Sequence, residues 1–301
     1  ISLKLMQLPH AGTEDTDMDS ILPSISLRPM TSALRDLESA LQLSRAAGWA
    51  YRLEDWRIAQ ALGQGVLAEA DGRVIGSALC WPYGDAFTTC GGIIVAPAMQ
   101  GRGLGRTLMA RLLELTGDRS VLLHSTAEGM RLYQGFGFEA VGLVHQHSAM
   151  IPAGRVQGAD PQVRTARAED LPAMLQMDQR AFGADRHRMI EAFVRIGSVA
   201  VIDRAGSPQA YAICRPFGLG QVIGPVVATG AEDAKALIGH FLRANAGQTL
   251  RIDIPGDSGL GDWLTALGMP EVGQVTTMIR GKSPAISGPE RVFALASQSF
   301  G

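Results

Sequence analysis

Ile93-Ile94-Val95-Ala96-Pro97-Ala98-Met99-Gln100-Gly101-Arg102-Gly103-Leu104-Gly105-Arg106-Thr107-Leu108 is the stretch that decides the fold. An apolar run, Ile93-Ile94-Val95, stops at Pro97. A glycine-rich loop follows, and a helix then opens with Leu104, Leu108 and Leu112 spaced four apart on one face. Glycines allow tight turning and close backbone approach to a ligand. The free N–H groups and positive dipole end of a helix start favour an anion. Arg102 and Arg106 add positive charge to the loop.

The spacing excludes two common phosphate sites. A P-loop would need a glycine five residues before Gly281-Lys282-Ser283, and Thr276 stands there. A dinucleotide fingerprint needs G-x-G-x-x-G early in a βαβ unit, whereas this loop reads G-x-G-x-G about ninety residues in. What remains is Gln100-x-x-Gly103-x-Gly105 after a strand ending in Val95-x-Pro97. Downstream lies Leu132-Tyr133-Gln134-Gly135-Phe136-Gly137-Phe138.

These two elements resemble the GNAT family of N-acetyltransferases, over roughly Ser26 to Met150. The resemblance implies a loop over Gln100–Arg106 that holds the pyrophosphate of acetyl-CoA. It implies that Ile93, Ile94 and Val95 offer backbone groups to the pantetheine arm and the acyl oxygen. It also implies that Tyr133 protonates the departing thiolate, against the plainer reading of a packing tyrosine. The family often has an Asn just after the fifth strand, where Thr126 stands here. A catalytic Glu is common on the fourth strand, but Phe87-Thr88-Thr89-Cys90-Gly91-Gly92 has no carboxylate. Asp85, His124, His145, His147 and a water relay remain as proton acceptors. Cys90 lacks a neighbouring base that would make it a nucleophile.

Length and composition frame this reading. The 301 residues exceed one ordinary domain, and 46% hydrophobic content suffices for two cores. A net charge of −2 without a basic run argues against nucleic acid. No apolar stretch reaches membrane-span length and no signal peptide is evident. Cys80, Cys90 and Cys214 lack metal-site spacing, which suits free thiols in a cytoplasmic, metal-free protein.

The chain also repeats itself. Leu27-Arg28 matches Val163-Arg164, Cys80-Trp81-Pro82-Tyr83-Gly84 matches Cys214-Arg215-Pro216-Phe217-Gly218, Val95 matches Val227, and Gly137 matches Gly268. The offsets drift in one direction, 136, 134, 132 and 131, as small deletions produce. The expected fold is α/β (α+β): two tandem GNAT-like domains, each a mixed, mostly antiparallel sheet flanked by helices. The first half reads as helices over Ser32–Ala47 and Leu53–Leu62, strands over Gly65–Ala70, Val74–Trp81 and Ala86–Val95, and a turn at Asp71-Gly72. A long helix to Thr116, a strand over Val121–Ser125, a short helix from Ala127 and a closing strand to Met150 follow. Residues 1–23 read as a mobile extension, 24–152 as the catalytic domain, 153–161 as a linker and 162–301 as a degenerate copy.

The second copy reads Thr229-Gly230-Ala231-Glu232-Asp233 where the loop should be, and Leu264 falls near the Tyr133 position. Carboxylates at a helix start repel phosphates. The resemblance extends more loosely to tandem GNAT proteins through Gly224-Pro225-Val226-Val227-Ala228, Thr277-Met278-Ile279-Arg280-Gly281 and the tail Val292–Ser297, and implies a second domain that shapes the acceptor pocket. Trp49 and Tyr51 either line that pocket or pack in a core. Asp253, inside an apolar strand, needs a partner: Arg215, Arg251 or a cationic substrate. The expectation is an acetyltransferase acting on a primary amine of a small molecule or peptide, as monomer or homodimer. The alternative is a non-catalytic acyl-CoA-binding or regulatory protein.

Overall fold

The computed structural model describes residues 24–301. The extension expected over 1–23 lies outside them. The first half runs β1 (Ser26–Pro29), α1 (Leu34–Ala46), α2 (Leu53–Leu62), β2 (Gln64–Ala70), β3 (Arg73–Tyr83), β4 (Phe87–Val95), α3 (Leu104–Thr116), β5 (Ser120–Ser125), α4 (Met130–Gln134) and β6 (Glu139–Met150). The second half repeats the order: β7 (Val163–Thr165), α5 (Leu171–Phe182), α6 (His187–Ile196), β8 (Ser198–Arg204), β9 (Ser207–Phe217), β10 (Gly220–Ala228), α7 (Ala231–Ala244), β11 (Thr249–Pro255), α8 (Gly261–Ala266) and β12 (Glu271–Arg280). One further strand, β13 (Arg291–Ala294), follows. Among the described residues, no helix is long and apolar enough to cross a membrane.

The repeat holds at the level of single contacts. Arg28 on β1 pairs with Asp36 and Glu69, each at 2.7 Å; Arg164 on β7 pairs with Asp170 and Asp203, each at 2.6 Å. The guanidinium and Thr31 donors hold the Asp36 carboxyl at about 2, well below its ordinary range. Both hairpins turn through two residues of positive φ, Asp71-Gly72 and Ala205-Gly206. In each half a long helix lies on the sheet. α3 buries Leu104, Leu108, Met109 and Leu112 at the helical period, and α7 buries Ala234, Leu237, Ile238, Phe241 and Leu242.

Each half was expected to close its own sheet with its last strand. The structure instead exchanges those strands. The order across one continuous sheet is β1-β2-β3-β4-β5-β12-β6-β11-β10-β9-β8-β7. β12 lies antiparallel to β5, with Thr277 opposite His124, and β6 lies antiparallel to β11, with His147 opposite Ile252. Two copies of one fold present equivalent edges at β5 and β11, so either closing strand satisfies either edge. Exchange lets β6 and β12 pair with each other as well, from Glu139–Ile279 to His147–Glu271. The bared edge that would otherwise face solvent in each half is thereby removed.

Candidate active site

β4 and β5 run parallel only from Phe87–Ser120 to Cys90–Leu123. Beyond that point they part. On β4 the parting coincides with a bulge: Ser77 and Leu79 of β3 face Ile94 and Gly91, a step of two positions on β3 against three on β4. Gly92 absorbs it at φ +60°, and the Ser77 hydroxyl donates to the Gly92 carbonyl at 2.8 Å. The result is a fork in the sheet. It opens into a cavity of about 760 Å³ that reaches both halves of the molecule.

One side of the cavity is the glycine loop. Gln100, Gly101, Gly103, Leu104 and Gly105 line it. Gly101 and Gly103 have φ of +74° and +82°, and Gly103 is the N-cap of α3. Among the described residues, none accepts a hydrogen bond from the N–H groups of residues 101–105. That run of unpaired donors at a helix start is a cradle for a phosphate or similar anion. Arg102 and Arg106 do not line it: Arg102 is exposed, and the Arg106 guanidinium lies 5.0 Å over the Phe136 ring.

The fork itself presents Cys90, Gly91 and Gly92 through the bulge, and beyond it Ile93 and Val95 at the strand alternation. Ile94 points the other way and is buried in the core. Across the fork, Thr126 lines the cavity just after β5, and Tyr133 enters from α4. The Tyr133 ring sits edge-on to Phe138 at 6.0 Å, and its hydroxyl has no hydrogen-bond partner among the described residues. Burial pushes the phenol up to about 12, so it stays protonated at neutral pH. Burial likewise pushes the Cys90 thiol up, which keeps it from acting as a thiolate.

Of the four candidate proton acceptors, His124 alone lines the cavity. It follows the last β4–β5 pair, at the mouth of the fork. Its Nδ1 lies 2.8 Å from the Gln298 carbonyl oxygen. A carbonyl only accepts, so Nδ1 carries the proton and Nε2 keeps its lone pair. Burial lowers this imidazole's pKa below its ordinary value, outweighing the Gln298 bond and the charge of Asp253, so the ring is neutral at pH 7. Asp85 is fully exposed and 3.7 Å from Arg119. His145 faces Glu271 at 3.1 Å, and His147 is spent on the Met269 carbonyl at 2.8 Å.

The far wall is built by both halves. Trp49 and Tyr51, centroids 5.9 Å apart, line it, and Tyr51 meets Phe217 edge-on at 5.3 Å. The Tyr51 hydroxyl lies 3.3 Å from the Ser299 hydroxyl. Asp253 is fully buried and does not reach the cavity: Arg251 takes it, at 2.9 Å. Arg251, Phe217 and the tail residues Ser297, Gln298 and Ser299 line this wall; the sequence offered Arg251 only as a partner for Asp253, Phe217 and Ser297 only within matched segments, and Gln298 and Ser299 not at all. The tail lies more than 170 positions from the β5 residues it meets, beyond any periodicity.

The second half has an equivalent fork, and it is filled. β10 and β11 run parallel at Gln221–Leu250 and Val222–Arg251 and then part, with a bulge over Gly224-Pro225 matching that of β4. β13 occupies the gap. It pairs with β10 at Val226–Ala294, Val227–Val292 and Ala228–Arg291, and Leu295 N–H donates to the Asp253 carbonyl on β11 at 2.8 Å. The fit is tight: a Cβ on Gly224 would fall 1.9 Å from the Leu295 carbonyl oxygen. At the start of α7, Asp233 is held by Arg204 at 2.5 Å and Glu232 by Lys235 at 2.8 Å.

Known protein families match this chain in both halves. The family model of the acetyltransferase (GNAT) domain matches residues 62–140, and a second model of the same description matches residues 174–294. The chain belongs to the GNAT acetyltransferase family. It is a tandem GNAT protein, and its class of activity is acyl transfer. The chain is 26% identical over 219 residues to the uncharacterized N-acetyltransferase YitH of Bacillus subtilis, covering 71% of this chain and 77% of that protein. Its fold is similar to a candidate acetyltransferase from Pyrococcus horikoshii, with a TM-score of 0.77 at 19% identity over 97% of this chain and all of that one. It is also similar to a tandem GNAT protein from the clavulanic acid biosynthesis pathway, with a TM-score of 0.64 at 14% identity over 86% of this chain and all of that one.

Proposed function

We propose that this tandem GNAT protein moves an acetyl group from acetyl-CoA to a primary amine of a small molecule or peptide, and that the first half does the chemistry. One observation carries this reading. A single cavity joins the unpaired N–H groups of residues 101–105, the β4–β5 fork, the Tyr133 hydroxyl and the free Nε2 of His124.

The division of labour follows from the atoms. The loop N–H groups hold the pyrophosphate and the fork holds the pantetheine arm, which places the thioester between β4 and β5. Backbone N–H groups of the bulged stretch Gly91–Val95 polarise the acyl oxygen as it gains charge. The neutral amine attacks the carbonyl carbon; the C–N bond forms and the C–S bond breaks. His124 Nε2 takes the proton that the amine nitrogen loses, and Tyr133 gives its proton to the thiolate. Trp49, Tyr51 and the second half hold the acceptor beside the thioester.

Release of free thiol from acetyl-CoA, followed over a panel of amino acids, small amines, polyamines and peptides, tests the proposal. Acceptor-dependent release at micromolar enzyme is the expected outcome. Failure of acetyl-CoA to bind in calorimetry would overturn it.

A further inference from the structure

We infer that the acceptor carries a carboxylate as well as its amine, and that Arg251, backed by Arg215, recognises it. This rests on the acetyltransfer reading above and goes on to the acceptor's chemical class.

The argument begins with Arg251, the one cation lining the cavity among the described residues. Its Nε donates to both oxygens of Asp253, at 3.1 and 3.0 Å, and Nη2 lies 2.9 Å from the same carboxylate. Asp253 is fully buried, so the guanidinium plane is fixed by a rigid partner. The guanidinium also lies 5.5 Å from the Phe217 ring centroid. This uses one edge of the fork. The Nη1 side has no partner among the described residues, and the side chain keeps 24% of its surface exposed. A pre-oriented guanidinium edge matches a planar carboxylate through two parallel hydrogen bonds.

The second observation is Arg215. It lies on the other guanidinium–aromatic contact of Phe217, 5.2 Å from the centroid, and stacks on Phe193 at 4.0 Å. Only 2% of it is exposed. It donates to the Ala296 carbonyl from Nη2 at 2.9 Å, and its buried Nε has no partner. It also faces a void of about 10 Å³, room for roughly one water, shared with Tyr51, Ser297 and Ser299 of the cavity wall. The carboxylate lining the same void, Asp55, is already engaged by Arg52 at 2.9 Å and by the Gly218 N–H at 3.0 Å. Burial lowers the Arg215 pKa to about 10, which leaves it charged at neutral pH.

Two guanidiniums therefore flank Phe217, and Asp253 answers one of them. A buried cation without a partner is costly, and an anion brought beside it is stabilised. Among the described residues Glu128 is the one carboxylate lining the cavity, and it is exposed on the turn before α4, on the Tyr133 side. A polyamine at the Arg251 wall would meet like charge. Gln298 connects the two ends of the acceptor site. Its carbonyl orients His124, and its Nε2 donates to Asp253 at 3.2 Å. An amine presented to His124 and a carboxylate presented to Arg251 thus belong to one small molecule, an amino acid or a close analogue.

The test compares matched acceptors on the wild-type protein: free amino acids, their carboxamides, the corresponding decarboxylated amines, and spermidine. The expected kcat/KM for the best carboxylate exceeds that of its carboxamide by about 10²-fold. Arg251→Lys keeps the charge and a partner for Asp253 but loses the second edge. It should raise KM for the carboxylate acceptor about tenfold with kcat and acetyl-CoA affinity little changed. Calorimetry with N-acetyl amino acids against their amides provides a second readout that needs no turnover. Equal or better use of carboxamides or polyamines overturns the inference while leaving acetyl transfer intact. Absence of both turnover and binding across the carboxylate series also overturns it. Loss of acetyl-CoA binding in the wild type would instead bring down the underlying acetyltransfer reading.

Discussion

The two forks of this sheet are built alike and used differently. Both arise where a parallel pair parts at a bulge, β4 from β5 and β10 from β11. The first stays open and is flanked by a loop of unpaired N–H groups. The second is closed by β13, which takes up hydrogen bonds of β10 and β11 that a pantetheine-like ligand would otherwise satisfy. The chain between strand and helix differs too. From Val95 to α3 the first half spends eight residues on its loop, whereas Thr229 and Gly230 suffice between β10 and α7. The bulged sheet is thus the shared part of the fold, and what fills it decides whether a ligand or the protein's own backbone completes the hydrogen bonding.

The largest effect should come from breaking this asymmetry at the open fork. Titration calorimetry is expected to give one acetyl-CoA per chain. Gly103→Val should abolish it, because φ +82° is hostile to a β-branched residue and the side chain would project toward the cradle. Gly105→Val separates the two causes. Gly105 has no positive φ, and an added Cβ would make only ordinary contact with Leu132 at 3.5 Å. Its binding loss should therefore come with a nearly unchanged melting temperature. A stoichiometry of two would show that β13 leaves the second fork accessible.

Within the open fork, chemistry and binding should come apart. Tyr133→Phe is expected to lower kcat by about 10²-fold, the lower end of the usual acid–base range, with acetyl-CoA affinity retained. His124→Asn, which keeps a donor for the Gln298 carbonyl, should cost less. About tenfold is expected, because part of the amine can arrive already neutral. The pH profile gives the sharper test. Imidazole is the working form of His124, and burial lowers its pKa, so kcat/KM should hold down through the ordinary imidazole value of about 6.5 and fall at lower pH. The fall should disappear in the Asn variant, measured with an acceptor whose amine pKa lies far away. A limb that survives the substitution would assign it to another group.

How much of this could be read in advance depends on the range of the interaction. The loop, α3 and the Asp71-Gly72 turn are short-range features, each carried by a few adjacent residues, and they are legible in the sequence. The partner of Asp253 is nearly as local: Arg251 lies two positions away on the same face of β11. Strand exchange is not local. β6 and β12 close equivalent edges, and nothing in either strand states which edge it will take. The role of the tail is equally hidden, since residues 291–301 acquire meaning only against β10, β11 and His124. Arg102 and Arg106 illustrate the converse, where charge near a loop in sequence does not imply charge in its cavity. Arg106 stacks on Phe136 instead, an aromatic contact from α4's flank.

The smallest expected effect compares the two hairpins. Both turns need positive φ at their first central residue, 50° at Asp71 and 54° at Ala205. Left-handed backbone brings Cβ toward the carbonyl oxygen, a clash that Asp and Asn offset through local hydrogen bonding and that Ala cannot. Ala205 is exposed, so a polar side chain there meets no packing constraint. Ala205→Asn should therefore stabilise the protein by about 0.5–1 kcal/mol, and Asp71→Ala should destabilise it by a similar amount. Denaturant melts of the two variants check this, read as opposite shifts in midpoint at an unchanged slope. Shifts of the same sign would mean that the turns, unlike the strands they join, are not equivalent in the two halves.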